Sequence, residues 1–109
     1  IYALLDHAGL AEADLSSLEL VLYGASPIAP SRLQEALNRI GPVFGQVYGQ
    51  AEAPMTISYL SKRDHDLSRS HLLSSCGKVM VGNQVKLLDG ARREVPVGES
   101  ASCACAVRW

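Results

Sequence analysis

Hydrophobic and polar positions in the first half of the chain predict a strand followed by a helix. Residues 20–23 (LVLY) form a short, continuous apolar run that stops at Gly24, which is typical of a strand buried on both faces. Farther on, four apolar residues recur at the i, i+3, i+4 and i+7 spacing of one helix face: Leu33, Ala36, Leu37 and Ile40. Ser31 and Gln34 have the spacing of a capping box, so we expect the helix to begin there.

A second strand follows the helix at once. Gly41 and Pro42 suit a helix end, and the apolar positions between Val43 and Tyr48 predict a strand that closes at Gly49. Strand, helix and strand within about thirty residues make a βαβ unit, whose strands run parallel. The segments that leave the two strands, GASP (24–27) and GQAEAP (49–54), should therefore face one crevice, where open α/β sheets bind ligands.

The remaining segments are predicted with less regular patterns. Residues 1–7 fit the end of a helix, 55–60 a short strand, and the charged stretch 61–71 a surface loop with its histidines exposed. Alternating apolar residues after Gly77, the hairpin signal Asp89-Gly90, and a further strand over 95–99 predict an antiparallel piece. The expected fold is α/β: a βαβ unit with parallel strands from a larger sheet, then a small antiparallel β piece. The predicted units are 1–75 and 76–99, followed by a tail over 100–109.

Composition narrows the function classes. The 109 residues suffice for one domain, and 10 Lys and Arg against 11 Asp and Glu give a net charge of −1. Nucleic-acid binders and binders of anionic membranes need an excess of cations, so neither is expected. Three Cys favour a reducing, cytoplasmic setting. We expect no transmembrane segment and no secretory signal.

Three motifs together resemble one enzyme superfamily. GQVYGQAEAP is similar to the Y-G-x-T-E motif of adenylate-forming enzymes, which include acyl-CoA synthetases, luciferases and peptide-synthetase adenylation domains. LVLYGASPIAP resembles their G-A-x-P loop. GKVMVGNQVKLLDGARREVPVGE resembles their later G-K-P stretch, and the three occur in the family's order, nearest to the acyl-CoA synthetase branch.

The resemblance implies a reaction and its cofactors. A carboxylic acid, here a fatty acid, attacks the α-phosphate of ATP with Mg²⁺ to give an acyl-adenylate and pyrophosphate, and coenzyme A then displaces AMP. Tyr48 would stack on the adenine, an interaction worth about 1–3 kcal/mol per base. Glu52 would be the catalytic residue and the Mg²⁺ ligand, as a hard oxygen donor. The implied nucleotide-binding residues are Gly24, Ala25, Ser26, Pro27, Gln46, Tyr48, Gly49, Gln50 and Ala51.

The chain also departs from the family pattern. Ala51 stands where the family has a threonine whose hydroxyl contacts the α-phosphate, and the loss of such a donor can cost a few kcal/mol in the transition state. Val79 replaces a usual proline. The family's phosphate loop, ribose-binding aspartate, hinge and C-terminal lysine are not in this sequence. The missing remainder of the enzyme is therefore an expected partner, besides the small-molecule substrates.

The last ten residues fit nothing upstream. The family continuation after Val97-Gly98-Glu99 is replaced by SASCACAVRW, and one base deleted from a coding string for EVGELRVRGPL gives ESASCACAVRW. We therefore expect 100–109 to be an out-of-frame tail that was never selected to fold. Cys103-x-Cys105 lacks the spacing of a zinc site.

Three functional hypotheses remain open at this point. The first is a fragment of an AMP-forming acyl-CoA synthetase, inactive alone. The second is a stand-alone α/β nucleotide-binding module without ligase activity, and the third is a non-functional truncated remnant. Two parallel strands cannot be covered on both faces by one helix, so we also expect the isolated chain to be marginally stable, aggregation-prone or oligomeric.

Overall fold

The computed structural model describes the backbone of residues 1–107 and the side chains of residues 1–104. A one-turn helix, α1 (Tyr2–Leu5), precedes strand β1 (Val21–Gly24), helix α2 (Pro30–Ile40) and strand β2 (Phe44–Gln50). β1 and β2 pair in parallel, in a register that runs from Val21 opposite Phe44 to Gly24 opposite Val47. The predicted βαβ unit is therefore confirmed.

Two antiparallel strands extend this sheet. β3 (Ala53–Leu60) pairs with β2, and β4 (Lys78–Val79) pairs with β3, so the strand order is β1-β2-β3-β4. A second sheet contains two antiparallel strands, β5 (Asn83–Leu88) and β6 (Ser102–Val107). The mixed first sheet and the small antiparallel pair match the predicted α/β class, whereas the division into units at residue 75 stays a prediction.

The core lies between α2 and one face of the four-stranded sheet. Leu33 of α2 and Phe44 of β2 are fully buried there. The other buried members of this cluster come from α2, from the N-terminal segment and from a 3-10 helix: Leu5, Leu10, Ala36, Leu37 and Leu73. The apolar stripe predicted for α2 is thus the side of the helix that faces the sheet.

The predicted start of α2 is wrong, because the observed N-cap lies two residues before Ser31. Ala29 is the N-cap, Pro30 is the first helical residue, and no side chain caps this end. Proline fits the first helical position because its missing N–H would have no partner there, and Ser31 consequently lies inside the first turn instead of capping it. The predicted end is confirmed, since Gly41 follows the helix with φ +109°.

Residues 61–71 lie mostly at the surface, as predicted, but they are not an irregular loop. Two 3-10 helices, Lys62–Asp64 and Leu67–Ser74, occupy most of this segment. His65 lies between them and is only 4% exposed, whereas His7 and His71 are exposed as predicted. Hydrogen bonds to both ring nitrogens of His65 make its burial possible, because a buried polar group is costly only when it lacks partners.

Two further predictions for the β-rich part need correction. Residues 95–99 do not form a strand and contain a turn at 97–98, and an isolated bridge joins Leu88 to Glu94. GQAEAP is mostly strand, because β2 continues to Gln50 and β3 begins at Ala53 after a tight turn. The alternation from 79 to 87 is divided between the two sheets.

The predicted tail contributes a strand, since β6 begins at Ser102 and pairs with β5 along its length. Strand pairing uses backbone N–H and C=O groups, which an out-of-frame sequence has as well. The pairing therefore does not test the reading frame, and the out-of-frame origin of 100–109 stays a prediction. Arg108 and Trp109 lie outside the described residues.

The radius of gyration is 16.0 Å, against about 13 Å for a compact domain of this length, so the molecule is elongated. Within residues 1–107, no helix has the length and apolarity to cross a bilayer.

Candidate functional site

The loop after β1 and the C-terminal half of β2 line one cavity of about 350 Å³. The parallel pairing of these strands places their C-terminal ends at the same edge, as predicted. Residues predicted from the motifs that line the cavity are Ala25, Ser26, Pro27, Gln46, Tyr48 and Gly49. The two motifs, which lie at the two ends of the βαβ unit, therefore predicted the position of this cavity.

Gly24 allows the loop after β1 to lie directly against β2. A Cβ atom at this position would stand 2.3 Å from the backbone oxygen of Val47, which no real side chain tolerates. Ala25 then turns the chain with φ +66°, a left-handed conformation that costs a residue with a Cβ roughly 1–2 kcal/mol. The close approach and the turn together place residues 25–27 beside the end of β2.

Gly49 has a similar role on the other side of the cavity. A Cβ atom at Gly49 would lie 2.0 Å from the backbone nitrogen of Met55, so β3 crosses β2 closely here. The pairing register of the two strands shifts between Tyr48 and Gln50, and Met55 takes φ +55° within this irregularity. Strained backbone of this kind is often found at functional sites.

Gln46, which lines the cavity, belongs to a hydrogen-bonded group of three side chains with Tyr23 and His65. The hydroxyl of Tyr23 lies 2.9 Å from Nε2 of His65 and 3.5 Å from Oε1 of Gln46. Nδ1 of His65 lies 2.8 Å from the carbonyl oxygen of Ser61. Burial raises the pKa of Tyr23 to about 12, so its hydroxyl keeps its proton near neutral pH. The sequence analysis gave neither residue a role in the site, although Tyr23 lies within the motif LVLYGASPIAP.

The residues after Tyr48 are placed differently. Gln50 donates from Nε2 to the hydroxyl of Tyr48 at 3.3 Å and to the carbonyl oxygen of Cys103 at 3.4 Å, which ties the end of β2 to β6. Ala51 and Glu52 are exposed at the turn into β3 and do not line the cavity. Gly24 lines a neighbouring cavity of about 300 Å³ together with Tyr23.

A second side of the cavity was missed by the sequence analysis. Leu73, Ser74 and Cys76 line it, and they come from the end of the 3-10 helix Leu67–Ser74 and the residues just after it. The hydroxyl of Ser58 donates to the carbonyl oxygen of Cys76 at 2.7 Å and holds this segment against β3. The sequence around these residues has no apolar periodicity and no motif that would have predicted their place beside the cavity.

The donor set for a metal is small. Across the described part of the chain, no three His, Cys, Asp or Glu side chains cluster as a metal site would require. Glu52 is a single exposed carboxylate, which fits a Mg²⁺ ion that takes its other ligands from phosphates and water. Cys76 and Cys103 are free thiols.

The fold and the cavity define the class of protein. Many α/β proteins that bind nucleotides have a cavity at the C-terminal ends of parallel strands, beside a turn that contains glycine. A sequence model of the AMP-binding enzyme family matches residues 1–102. The chain belongs to this family of adenylate-forming ligases, as its three motifs indicated.

Relatives support the same assignment. The chain is 54% identical over 99 residues to the medium/long-chain-fatty-acid–CoA ligase FadD8 of Mycobacterium tuberculosis, covering 91% of this chain and 17% of that protein. It is 32% identical over 95 residues to the fatty acid–[acyl-carrier-protein] ligase ScoC of Streptomyces coeruleorubidus, with 87% and 18% covered. The solved structure of the amide bond synthetase McbA from Marinactinospora thermotolerans superimposes with a TM-score of 0.87 at 35% identity, covering 97% of this chain and 21% of that one. The chain thus spans about a fifth of the relatives that it matches.

Proposed function

We propose that this chain forms one wall of the nucleotide site of an AMP-forming acid–thiol ligase, and that it is inactive alone. The observation that carries the proposal is the single cavity shared by the GASP loop and the end of β2. Both motifs resemble nucleotide-binding segments of the family, and the parallel pairing of β1 with β2 brings them to the same cavity. Two independent sequence signals at one cavity are more specific than either signal alone.

In the proposed complex, each part of the wall has a distinct role. The ring of Tyr48 would stack against the adenine, and backbone groups of residues 24–27 would approach the nucleotide closely because Gly24 and Ala25 lack bulk. Glu52 would supply one oxygen ligand to Mg²⁺, which neutralises phosphate charge when it is bound. The side chain of Ala51 has no hydroxyl to donate to the α-phosphate, so this chain lacks one side-chain donor of the family pattern.

For the whole enzyme we propose activation of a fatty acid with ATP and transfer of the acyl group to coenzyme A. The 54% identity to a fatty-acid–CoA ligase supports this substrate class, and the similarity to an acyl-carrier-protein ligase leaves a carrier thiol as the second candidate acceptor. The remainder of such an enzyme would supply the phosphate loop and the catalytic lysine. Free thiols at Cys76 and Cys103 support a reducing, cytoplasmic setting.

Calorimetric titration of AMP into the purified chain tests the proposal. We expect weak binding that Tyr48→Ala reduces by about 5- to 150-fold and Tyr48→Phe largely retains, because stacking on the ring accounts for the difference. Tyr59→Ala, on the neighbouring strand, is the matched control for loss of an aromatic ring. Equal losses for Tyr48→Ala and Tyr59→Ala, or no heat at millimolar AMP, would contradict the proposal. The absence of heat would also favour the non-functional remnant over a surviving nucleotide-binding module.

A further inference from the structure

The loop that joins β1 to α2 lies between two cavities. Ser26, Pro27 and Ile28 line the larger cavity, of about 350 Å³, and the same three residues line the smaller one, of about 300 Å³. Across the smaller cavity they face the beginning of the chain, where Tyr2 and Ala3 contribute to the lining. The position of α1 therefore affects the larger cavity through this loop, although Tyr2 and Ala3 do not line the larger cavity.

The loop has few anchors of its own. Gly24 lies against the backbone of β2 at one end, and Ile28 packs partly against the core. Within the described part of the chain, residues 25–28 make no backbone–backbone hydrogen bond. Ala29 is the N-cap of α2, and no side chain caps this end of the helix from within. The far end of the loop consequently needs a contact from outside the βαβ unit to hold it.

Tyr2 provides that contact. The backbone N–H of Ala29 donates a hydrogen bond to the hydroxyl oxygen of Tyr2 at 2.9 Å. The next residue, Pro30, has no N–H, so Ala29 carries the last backbone donor of the loop before the helix begins. One hydroxyl group in α1 thus connects the first helix to the end of the loop.

Arg32 of α2 holds the ring of Tyr2 in place. Its guanidinium lies over the ring, 5.2 Å from the ring centroid, in the geometry of a cation–π interaction. The same guanidinium forms ion pairs with Asp6, at the C-terminal end of α1, and with Glu35, about one turn farther along α2. Exposed ion pairs stabilise a fold little, but a planar guanidinium with three partners has a fixed orientation. Both ends of α1 are therefore attached to α2 through one side chain.

We propose that Tyr2 is a positioning residue for the wall of the nucleotide site, and that it acts through the N–H of Ala29 on a cavity that it does not line. The hydroxyl of Tyr2 fixes the far end of the loop, and the contact of Gly24 with β2 fixes the near end. A loop held at both ends loses less freedom when a nucleotide binds, so binding is tighter. The proposal rests on the proposed function for the identity of the ligand, whereas the bond between Tyr2 and Ala29 is independent of any ligand.

The support of the loop is measured on the free chain. In ¹H–¹⁵N NMR spectra of Tyr2→Phe, which keeps the ring and loses only the hydroxyl, we expect the Ala29 amide resonance to shift and its exchange with water to accelerate about 2- to 10-fold. The amides of residues 33–37, in the middle of α2, should keep the exchange rates of the unmodified chain. Tyr59→Phe removes a hydroxyl from β3 and is the matched control, which should leave Ala29 unchanged. An Ala29 amide that Tyr2→Phe leaves unchanged would overturn the proposal, whether or not AMP binds.

The consequence for binding is measured by calorimetric titration of AMP. We expect Tyr2→Phe to weaken AMP binding by about 2- to 10-fold, as for the loss of one hydrogen bond, and Tyr59→Phe to leave the affinity unchanged. Urea unfolding of the same variants separates positioning from stability, because a hydroxyl that only stabilised the fold would raise the unfolding midpoint without changing the affinity of the folded chain. A lower midpoint with unchanged affinity in Tyr2→Phe would assign Tyr2 a structural role only and contradict the proposal.

The two measurements together separate this proposal from the proposed function. If the Ala29 amide responded as expected but the unmodified chain bound no AMP at millimolar concentration, the proposed function would fail for this chain and the support of the loop by Tyr2 would stand. If the unmodified chain and Tyr2→Phe bound AMP with the same affinity, the proposed function would stand and the positioning role of Tyr2 would be wrong.

Discussion

At the residue scale, close backbone approach decides which small residues the site requires. Position 24 requires glycine, because a Cβ atom there would collide with the carbonyl oxygen of Val47 in β2. That oxygen cannot move away without disturbing the pairing of β1 with β2. Ala25 illustrates a different case, because its backbone takes the left-handed conformation, with φ +66°. The motif G-A-x-P thus combines a steric requirement at its first residue with a conformational one at its second.

Gly24→Ala should destabilise the chain by about 1–3 kcal/mol, because the added methyl group forces β1 and β2 apart. Urea unfolding followed by circular dichroism measures the change. Gly90→Ala is the matched control, since nothing lies within 4 Å of a Cβ atom at Gly90. An equal effect of the two substitutions would contradict the close approach.

At the element scale, α2 was the most predictable part of the molecule. Its apolar stripe is local in sequence, and the faces of a helix follow directly from residue spacing. β3 was predicted only as a short strand, and its pairing with β2 was not foreseen. The burial of His65 could not be predicted, because its partner Tyr23 lies 42 residues away and hydrogen bonding over that separation leaves no local pattern.

The packing of α2 gives a stability prediction. Leu33→Ala should cost about 2–5 kcal/mol in the free energy of unfolding, since Leu33 is fully buried and a cavity would remain. Leu22→Ala, at a position that is 56% exposed, should change it by less than about 0.5 kcal/mol. Chemical denaturation of both variants checks the expectation, and similar losses would show that α2 does not cover the core.

The surface of α2 gives a prediction for pH. The hydrogen bond from Arg39, helped by the charges of Arg32 and Arg39, lowers the pKa of Glu35 below its ordinary value of 4.5. Because the pKa of Glu35 is lower in the folded chain, the ionised carboxylate stabilises the fold above pH 4.5. That contribution to the free energy of unfolding is lost as the pH falls through the folded-state pKa. The stability difference between wild type and Glu35→Gln should therefore shrink between neutral and strongly acid pH. Glu12→Gln is the control, and a difference that grew in acid would contradict the sign.

At the scale of the whole molecule, the chain leaves apolar surface uncovered. α2 covers one face of the sheet, and β1 is an edge strand. Leu22 in β1 is 56% exposed, and Leu20, just before the strand, is 45% exposed. The elongated shape adds to this exposure. An open strand edge with apolar side chains promotes association between chains, so the expectation of a marginal or oligomeric chain stays a prediction with a structural basis.

Leu22→Lys should increase the fraction of monomer, because a lysine on an edge strand opposes pairing with a second chain. Analytical ultracentrifugation over a range of protein concentrations measures this fraction. Val97→Lys adds the same charge at a fully exposed turn outside both sheets and should have a smaller effect. An unmodified chain that is monomeric and unfolds reversibly and sharply would contradict the expectation.

The motifs predicted one part of the site well and the other part not at all. Residues 25–27 and 46–49 were found because strand ends and glycines are readable along the sequence. Leu73, Ser74 and Cys76 complete the cavity from a distant segment, and Tyr23 and His65 support it from behind. These contacts depend on how the chain folds back over the sheet, which residue spacing does not encode.

The central claim is that the edge where β1 and β2 end binds a nucleotide. Titration of AMP into the ¹⁵N-labelled chain, followed by ¹H–¹⁵N NMR spectra, tests this claim most directly. We predict that the backbone shifts concentrate in residues 24–28 and 46–49 and leave β5 and β6 unchanged apart from the contact of Gln50 with Cys103. Shifts that concentrate in β5 and β6, or no shifts at millimolar AMP, would contradict it.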